Sequence, residues 1–194
     1  MSQFHRISID VTLIRALMAG DPAAAQPIYV ALGSVIHTLA LRVLRDSMLA
    51  DEVTQDTFID VIEKAPTLVD EEAFVPWVRR IAVNHCLGRL RSPWYRRRDG
   101  MPAVEHIVDP TTASQRVDTL RDVERALAVL TPETRFIVWM HDVEGYTHAE
   151  IGDLLGRSTS FSKSQLARGY AQLLEWSEER ADEASRTNGA PCIP

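Results

Sequence analysis

The sequence predicts an all-α protein built as two small helical domains joined by a flexible linker. Three observations carry this. Apolar residues recur at helical spacing through four segments of the first half. The last third holds two short helical patterns separated by a glycine turn. Between the halves, residues 99–117 show no period and contain Pro102, Pro110 and a polar stretch over 109–114. No segment alternates with the two-residue period of a strand.

Residues 10–19 form the first predicted helix, stopped at Gly20. Residues 22–44 form a longer one, with Ile28, Leu32, Val35, Ile36, Leu39 and Val43 on one face. Residues 47–64 form a third, with Val53, Thr57, Val61 and Ile62 sharing a face. Asp70 is the expected cap of a fourth, running over 71–91 and burying Phe74, Val78, Ile81 and Leu90. Ser92-Pro93 should end it. These faces suffice for one bundle, placed at 10–98.

Helices resume near Val117, and Val123, Ala126, Leu127 and Leu130 make the next apolar stripe. Thr131 can cap a helix whose first residue, Pro132, lacks only an N–H that would be unpaired there. Gly145 sits where that helix should end. Thr147 and Glu150 have capping-box spacing and Gly156 closes the helix they start. A serine-rich helix follows from Ser158 or Thr159 to about Glu175, with Ile151, Leu155, Leu166 and Leu173 as core. Helix, glycine turn, helix is the geometry that lays the second helix in the DNA major groove. This second domain is placed at 118–180, and the polar tail 181–194 is expected to be disordered.

The chain has 194 residues and a net charge of −6, awkward for a DNA-binding protein because phosphate contact needs cations. The distribution matters more. Seven arginines and no acid lie between Trp77 and Arg98, and six acids and no base between Asp46 and Glu63. Blocks of opposite sign point to two different partners. No apolar run approaches the roughly 20 residues of a membrane span, and no apolar signal core follows Met1–Arg6. Cys86 and Cys192 make neither a disulfide framework nor a zinc spacing. His37, His85, His106 and His141 are scattered, and no phosphate loop or nucleophile motif occurs. The sequence therefore predicts a cytoplasmic, cofactor-free, non-enzymatic protein with no small-molecule substrate and no membrane insertion.

Two separated motifs carry a resemblance. The first is residues 50–61, ADEVTQDTFIDV, followed by residues 74–84, FVPWVRRIAVN; the second is residues 130–168. Together, in this order and across a short linker, they resemble the bacterial RNA polymerase sigma factors of the extracytoplasmic-function (ECF) group of the sigma-70 family, over about residues 11–178. The resemblance implies that the first motif docks on core polymerase and that the following helix reads and melts the −10 promoter element. It implies that the helix-turn-helix reads the −35 element, in a factor that serves stress responses and that an anti-sigma factor restrains.

Under that resemblance, Asp51, Glu52, Gln55 and Asp56 are the polymerase-facing set, since carboxylates and amides form charge-assisted pairs with a basic partner helix. Trp77, Arg79, Arg80, Asn84, Arg91, Arg96, Arg97 and Arg98 are the −10 set. Asn84 would sit near a pocket for a flipped base, and Arg91 and Arg96–Arg98 would contact backbone. Ser160, Phe161, Lys163, Ser164, Gln165 and Arg168 are the −35 set, in which glutamine suits adenine and cations suit guanine or phosphate. Phe58 is as well placed for core as for contact.

Two departures follow. Gly88 stands where the family commonly has aspartate, and a helix-interior glycine predicts that the −10 helix bends or ends early. Gln165 and Tyr170 stand where arginine is frequent, so the −35 contact should be weak or its element unusual. The competing reading is a homodimeric helix-turn-helix regulator that works without polymerase; it leaves residues 50–61 without a purpose. An adaptor protein leaves the arginine run unexplained.

Overall fold

The computed structural model describes residues 2–97 and 122–188, with backbone alone for Arg96 and for 182–188. The linker 99–117, the helical restart near Val117, Arg98 and residues 189–194 lie outside the described residues. Every regular element among the described residues is helical.

Local chemistry sets most helix ends. Helix α1, Val11–Met18, starts where the Asp10 carboxylate accepts the Thr12 amide at 2.9 Å, and Gly20 turns the chain with φ +86°. A short 3₁₀ turn, Pro22–Ala24, leads into α2, Ala25–Leu44. Ile28, Leu32, Ile36, Ala40 and Val43 of α2 are fully buried. Arg45 reverses the chain in the left-handed region, φ 53°, and Asp46 caps α3, Ser47–Lys64. Helix α4 is Phe74–Arg91. It begins three residues later than Asp70 predicts, because the Asp70 carboxylate closes a turn onto the Glu72 amide instead. Pro93 then serves as the first residue of a short α5, Pro93–Arg97, whose Tyr95 amide is accepted by the Ser92 hydroxyl. Helices α2, α3 and α4 pack mutually.

Helix α6 spans residues 122–128. Thr131 caps α7, Pro132–Val138, which relaxes into a π-helical turn over Trp139–Val143. Gly145, φ +75°, makes the turn, and Thr147 with Glu150 forms the full capping box of α8, His148–Leu155. Gly156, φ +66°, ends it. Helix α9 is Thr159–Asn188. Gly169 lets α9 lie against α7: a Cβ there would sit 2.8 Å from Val138 Cγ2.

Several expectations are corrected. Helix α9 continues to Asn188, into the stretch expected to be disordered, because residues 175–186 are dominated by good helix formers even without an apolar stripe. Gly88 does not end α4, which stays α-helical to Arg91, held by its buried face from Phe74 to Leu87. Ile62 is turned outward, 43 % exposed, and Val123 likewise at 38 %. Pro22–Leu44 does reach the length and apolarity of a membrane span, with mean hydropathy 1.5, but half of it is buried inside the bundle as its central helix.

The two halves are packed together. Arg135 of α7, 4 % exposed, donates from Nε to the Val43 carbonyl at 2.8 Å and from Nη2 to the Tyr95 hydroxyl at 3.0 Å. Its Nη1 reaches the Leu130 and Leu127 carbonyls at 3.4 and 3.5 Å. Tyr95 donates in turn to the Leu44 carbonyl at 2.7 Å. One guanidinium thus closes the carboxyl ends of α2 and α6 at once, where helix carbonyls are left unpaired.

The glycines give opposite expectations. Gly88→Ala should stabilise the chain by about 0.5–1 kcal/mol, since nothing lies within 4 Å of the added methyl and the unfolded chain loses freedom. Gly169→Ala should destabilise it by about 1–3 kcal/mol through overpacking against α7. Urea unfolding of the two variants measures both signs.

Candidate functional site

The acidic face lies on α3. Asp51, Glu52 and Gln55 are exposed and Asp56 is half-buried. The spacing that puts Val53, Thr54, Thr57 and Val61 inside leaves these four outside. They are not free of one another's neighbours. Arg89 of α4 donates to Asp56 Oδ2 at 2.6 Å and lies 3.3 Å from Glu52 Oε2. His37 of α2 approaches Asp51 at 3.2 Å. One turn on, Asp60 takes Lys64 at 2.7 Å and His85 at 2.9 Å, and these hydrogen bonds hold its carboxyl below its ordinary range, the Lys64 bond most of all. So the acidic and basic blocks are partly each other's partners across α3 and α4. Arg89 orders the acidic row, a role its place within an arginine run did not suggest. Phe58 is core, 6 % exposed and tilted against Tyr29 at 4.6 Å between ring centroids.

The α4 candidates divide. Trp77, Arg80, Asn84 and Arg91 fall along one side of the helix at heptad spacing, with Gly88 between the last two. Arg80, Asn84 and Arg91 are exposed; Trp77 is half-buried against Phe74, ring centroids 5.9 Å apart. Arg79 leaves this group. It points at the helix-turn-helix, where its Nη1 donates to the Glu144 carbonyl at 2.9 Å and its guanidinium lies 4.7 Å from the Tyr146 ring centroid. Burial raises the Tyr146 phenol pKa. Arg91 also reaches across, donating to the Leu154 carbonyl at 2.6 Å. Arg97 is exposed on α5, which carries Arg96 in its backbone; Arg98 is outside the described residues. Buried behind the face is Cys86, whose thiol burial pushes up to about 12.

The start of α9 presents Ser160, Lys163, Ser164 and Arg168 outward. Phe161 is half-buried, with the Arg157 guanidinium 5.5 Å above its ring. Arg157, exposed in the turn after Gly156, is a cation beside this face that helix periodicity passes over because it lies between helices. Gln165 turns inward: its Oε1 accepts the Thr134 hydroxyl at 3.1 Å. A glutamine pairs bidentately with adenine through both amide ends, so this conformation does not offer that readout. Buried Ser162 is bonded to His148 Nδ1 at 3.0 Å, and His148 stacks on His141 at 4.6 Å. Burial foremost lowers the His148 pKa. Tyr170 donates to Asp142 at 2.7 Å, which raises its phenol to about 12. Among the described residues no three His, Cys, Asp or Glu side chains converge to hold a metal ion.

Comparison with known proteins bears on both faces. Residues 28–96 match the family Sigma-70 region 2, and residues 120–173 match Sigma-70, region 4. The ECF RNA polymerase sigma factor SigM of Mycobacterium tuberculosis is 32 % identical over 164 residues, covering 84 % of this chain and 82 % of that one. The RNA polymerase sigma factor CarQ of Myxococcus xanthus is 31 % identical over 148 residues, covering 75 % and 84 %. Among solved structures, the fold is similar to the sigma factor RpoE of Bartonella quintana, solved with the anti-sigma factor NepR: TM-score 0.59, 17 % identity, 79 % of this chain and 96 % of that one. CnrH, solved with the cytosolic domain of CnrY, gives TM-score 0.54 at 21 % identity, over 88 % and 97 %.

The geometry separates two neighbouring candidates on α9. Gln165→Ala should cost about 1 kcal/mol through the lost bond to Thr134. Ser164→Ala, exposed, should stay within about 0.5 kcal/mol of the parent. Thermal unfolding followed by circular dichroism checks the pair; equal effects would contradict the inward placement of Gln165.

Proposed function

The chain belongs to the ECF group of the sigma-70 family, factors that direct core RNA polymerase to promoters, and from that membership we propose how its two halves divide the work. The region over 10–98 docks on core polymerase and handles the −10 element; the region over 118–180 reads the −35 element; residues 99–117 connect them. The factor is a non-catalytic initiation protein acting in the cytoplasm, and the chemistry of RNA synthesis stays with the polymerase.

The observation that carries this reading is the α3–α4 pair. One exposed side is acidic, with Asp51, Glu52, Gln55 and Asp56; the other carries Trp77, Arg80, Asn84 and Arg91. A basic partner helix suits the first. A separated DNA strand suits the second, since cations follow its backbone, an aromatic stacks and an amide pairs with an unstacked base. Arg79 joins that side once its contacts to Glu144 and Tyr146 open, and Arg96, Arg97 and Arg98 extend it along the backbone. On α9, Ser160, Lys163, Ser164 and Arg168 face the major groove, with Phe161 and Gln165 behind them as support and Arg157 at the phosphates. A dimeric regulator has no use for the α3 face. As for the solved neighbour RpoE, which carries the anti-sigma factor NepR, an anti-sigma factor is the expected restraint here too.

Run-off transcription with core polymerase tests the assignment as a whole: promoter-dependent product should appear only when the chain is added. Asp51→Arg with Asp56→Arg should abolish co-purification with core polymerase while the fold stands, because reversed charges repel a basic partner at a cost of several kcal/mol. Retained binding by the folded double variant would remove α3 from the docking role. Asn84→Ala should impair open-complex formation and alter preference within the −10 element. Replacing Arg96, Arg97 and Arg98 by alanine should instead weaken all promoters alike and lower the salt slope by up to about three units. Permanganate footprinting and binding across a salt series distinguish these outcomes.

A further inference from the structure

We infer that Trp94 is a base-stacking residue: its ring takes one unpaired base of the separated promoter strand, beside the row formed by Arg80, Asn84 and Arg91. The inference rests on the proposed role of α4 at the −10 element and adds a contact from the next helix.

Local bonds fix where the ring stands. Trp94 is 51 % exposed on α5. Pro93 presets the first turn of that helix, and the Ser92 hydroxyl accepts the Tyr95 amide at 3.2 Å. Tyr95 is 9 % exposed, and its hydroxyl donates to the Leu44 carbonyl at 2.7 Å. Successive helix residues lie ~100° apart around the axis, so seating Tyr95 in the bundle turns Trp94 out of it. Ser92 and Leu44 both belong to the first half, so these two anchors do not depend on the second. An aromatic presented on a braced helix loses little freedom when it binds.

The surroundings identify the ligand. No acid lies between Trp77 and Arg98. Arg97, three residues on, shares the exposed side of α5, and exposed Arg91 closes α4 just before it. Such a surface repels a basic partner and draws an anionic one. A nucleic acid is anionic and also brings flat faces that stack on an indole. Inside a duplex those faces are stacked on one another, so a surface ring reaches one only where the strands have parted.

Trp77 does not make this contact redundant. It is half-buried against Phe74, whereas Trp94 is the more open ring. Every base has a face to stack, so Trp94 adds affinity for open DNA with little base preference. Stacking neutralises no phosphate, so it adds nothing to the salt slope.

The test uses holoenzyme formed from the full chain and core polymerase. A promoter is selected from a random pool by that holoenzyme and rebuilt as duplex over the −35 element with a single-stranded tail through the −10 element. Trp94→Ala should bind it roughly five-fold or more weakly than the parent, with the salt slope unchanged. Trp94→Phe should stay within about two-fold of the parent, while Trp94→Leu should behave as Trp94→Ala, because bulk alone does not stack. An abasic nucleotide moved along the tail should, at one position, cost the parent that same factor and cost Trp94→Ala nothing further. A Trp94→Ala that binds as the parent does, a Trp94→Leu that restores binding, or a scan in which every position costs both chains alike would overturn the proposal. So would loss of core polymerase binding by folded Trp94→Ala, which would give the ring to polymerase instead. If Trp94→Ala fails to fold, the Trp94→Phe and Trp94→Leu pair decides. Asn84→Ala on the same DNA separates the two readings: if it weakens binding and Trp94→Ala does not, only the stacking fails; if neither does, the −10 role of α4 has failed with it.

Discussion

A guanidinium removed from water must be met by acceptors on nearly all its donors, and Arg135 is almost wholly enclosed. The protein meets that demand with the two places where acceptors are in surplus, the carboxyl ends of α2 and α6. The last carbonyls of a helix have no partner within it and carry a partial negative charge. Two such ends converge on one permanent cation, and Tyr95 relays the bond to the carbonyl of Leu44. Neither half could close around Arg135 by itself. Losing the acceptors while the cation stays buried costs several kcal/mol, so the halves part only when water can enter with them.

That arrangement explains how an acidic chain can carry a nucleic-acid face. Among the α3 acids, Glu52 and Asp56 are partly neutralised by Arg89, and His37 and His85 lie beside Asp51 and Asp60, which steadies the row while leaving Asp51, Glu52 and Gln55 toward solvent. Of the four α4 arginines, Arg80 faces outward, Arg89 pairs with the α3 acids, and Arg79 and Arg91 cross to the second half. Electrostatic attraction to DNA in the free chain is weakened twice, by net charge −6 and by the engagement of two cations. The helix α9 proposed to read duplex begins with hydroxyls rather than cations, so under that proposal its contribution depends on being positioned by polymerase.

Short-range features were legible in the sequence because their chemistry is short-range. Thr131, the Thr147–Glu150 pair, Gly145 and Gly156 each act within a turn of themselves, and each stands where the spacing placed it. The α3 helix likewise keeps the bounds Ser47 and Lys64 that its pattern set, although Ile62 turns outward. The contacts between halves were not legible. Arg79, Arg91 and Arg135 are received by backbone carbonyls, and a carbonyl has no identity in a sequence. Gln165 looked like a base reader because only the fold brings Thr134, thirty-one positions earlier, beneath it. The end of α9 was missed for another reason: residues beyond Glu175 hold a helix by intrinsic propensity and by pairs such as Arg180 with Trp176, with no apolar stripe to announce it.

Cys86 sets a boundary on how such a factor can be switched. Its sulfur is buried beneath the arginine face, and that burial pushes its thiol pKa up. Burial therefore keeps the group as the thiol at neutral pH, whereas the thiolate is the form that reacts with peroxide or a disulfide. Oxidants therefore pass this side chain by, and an oxidative signal that reaches the promoter through this protein has to be sensed by something other than Cys86.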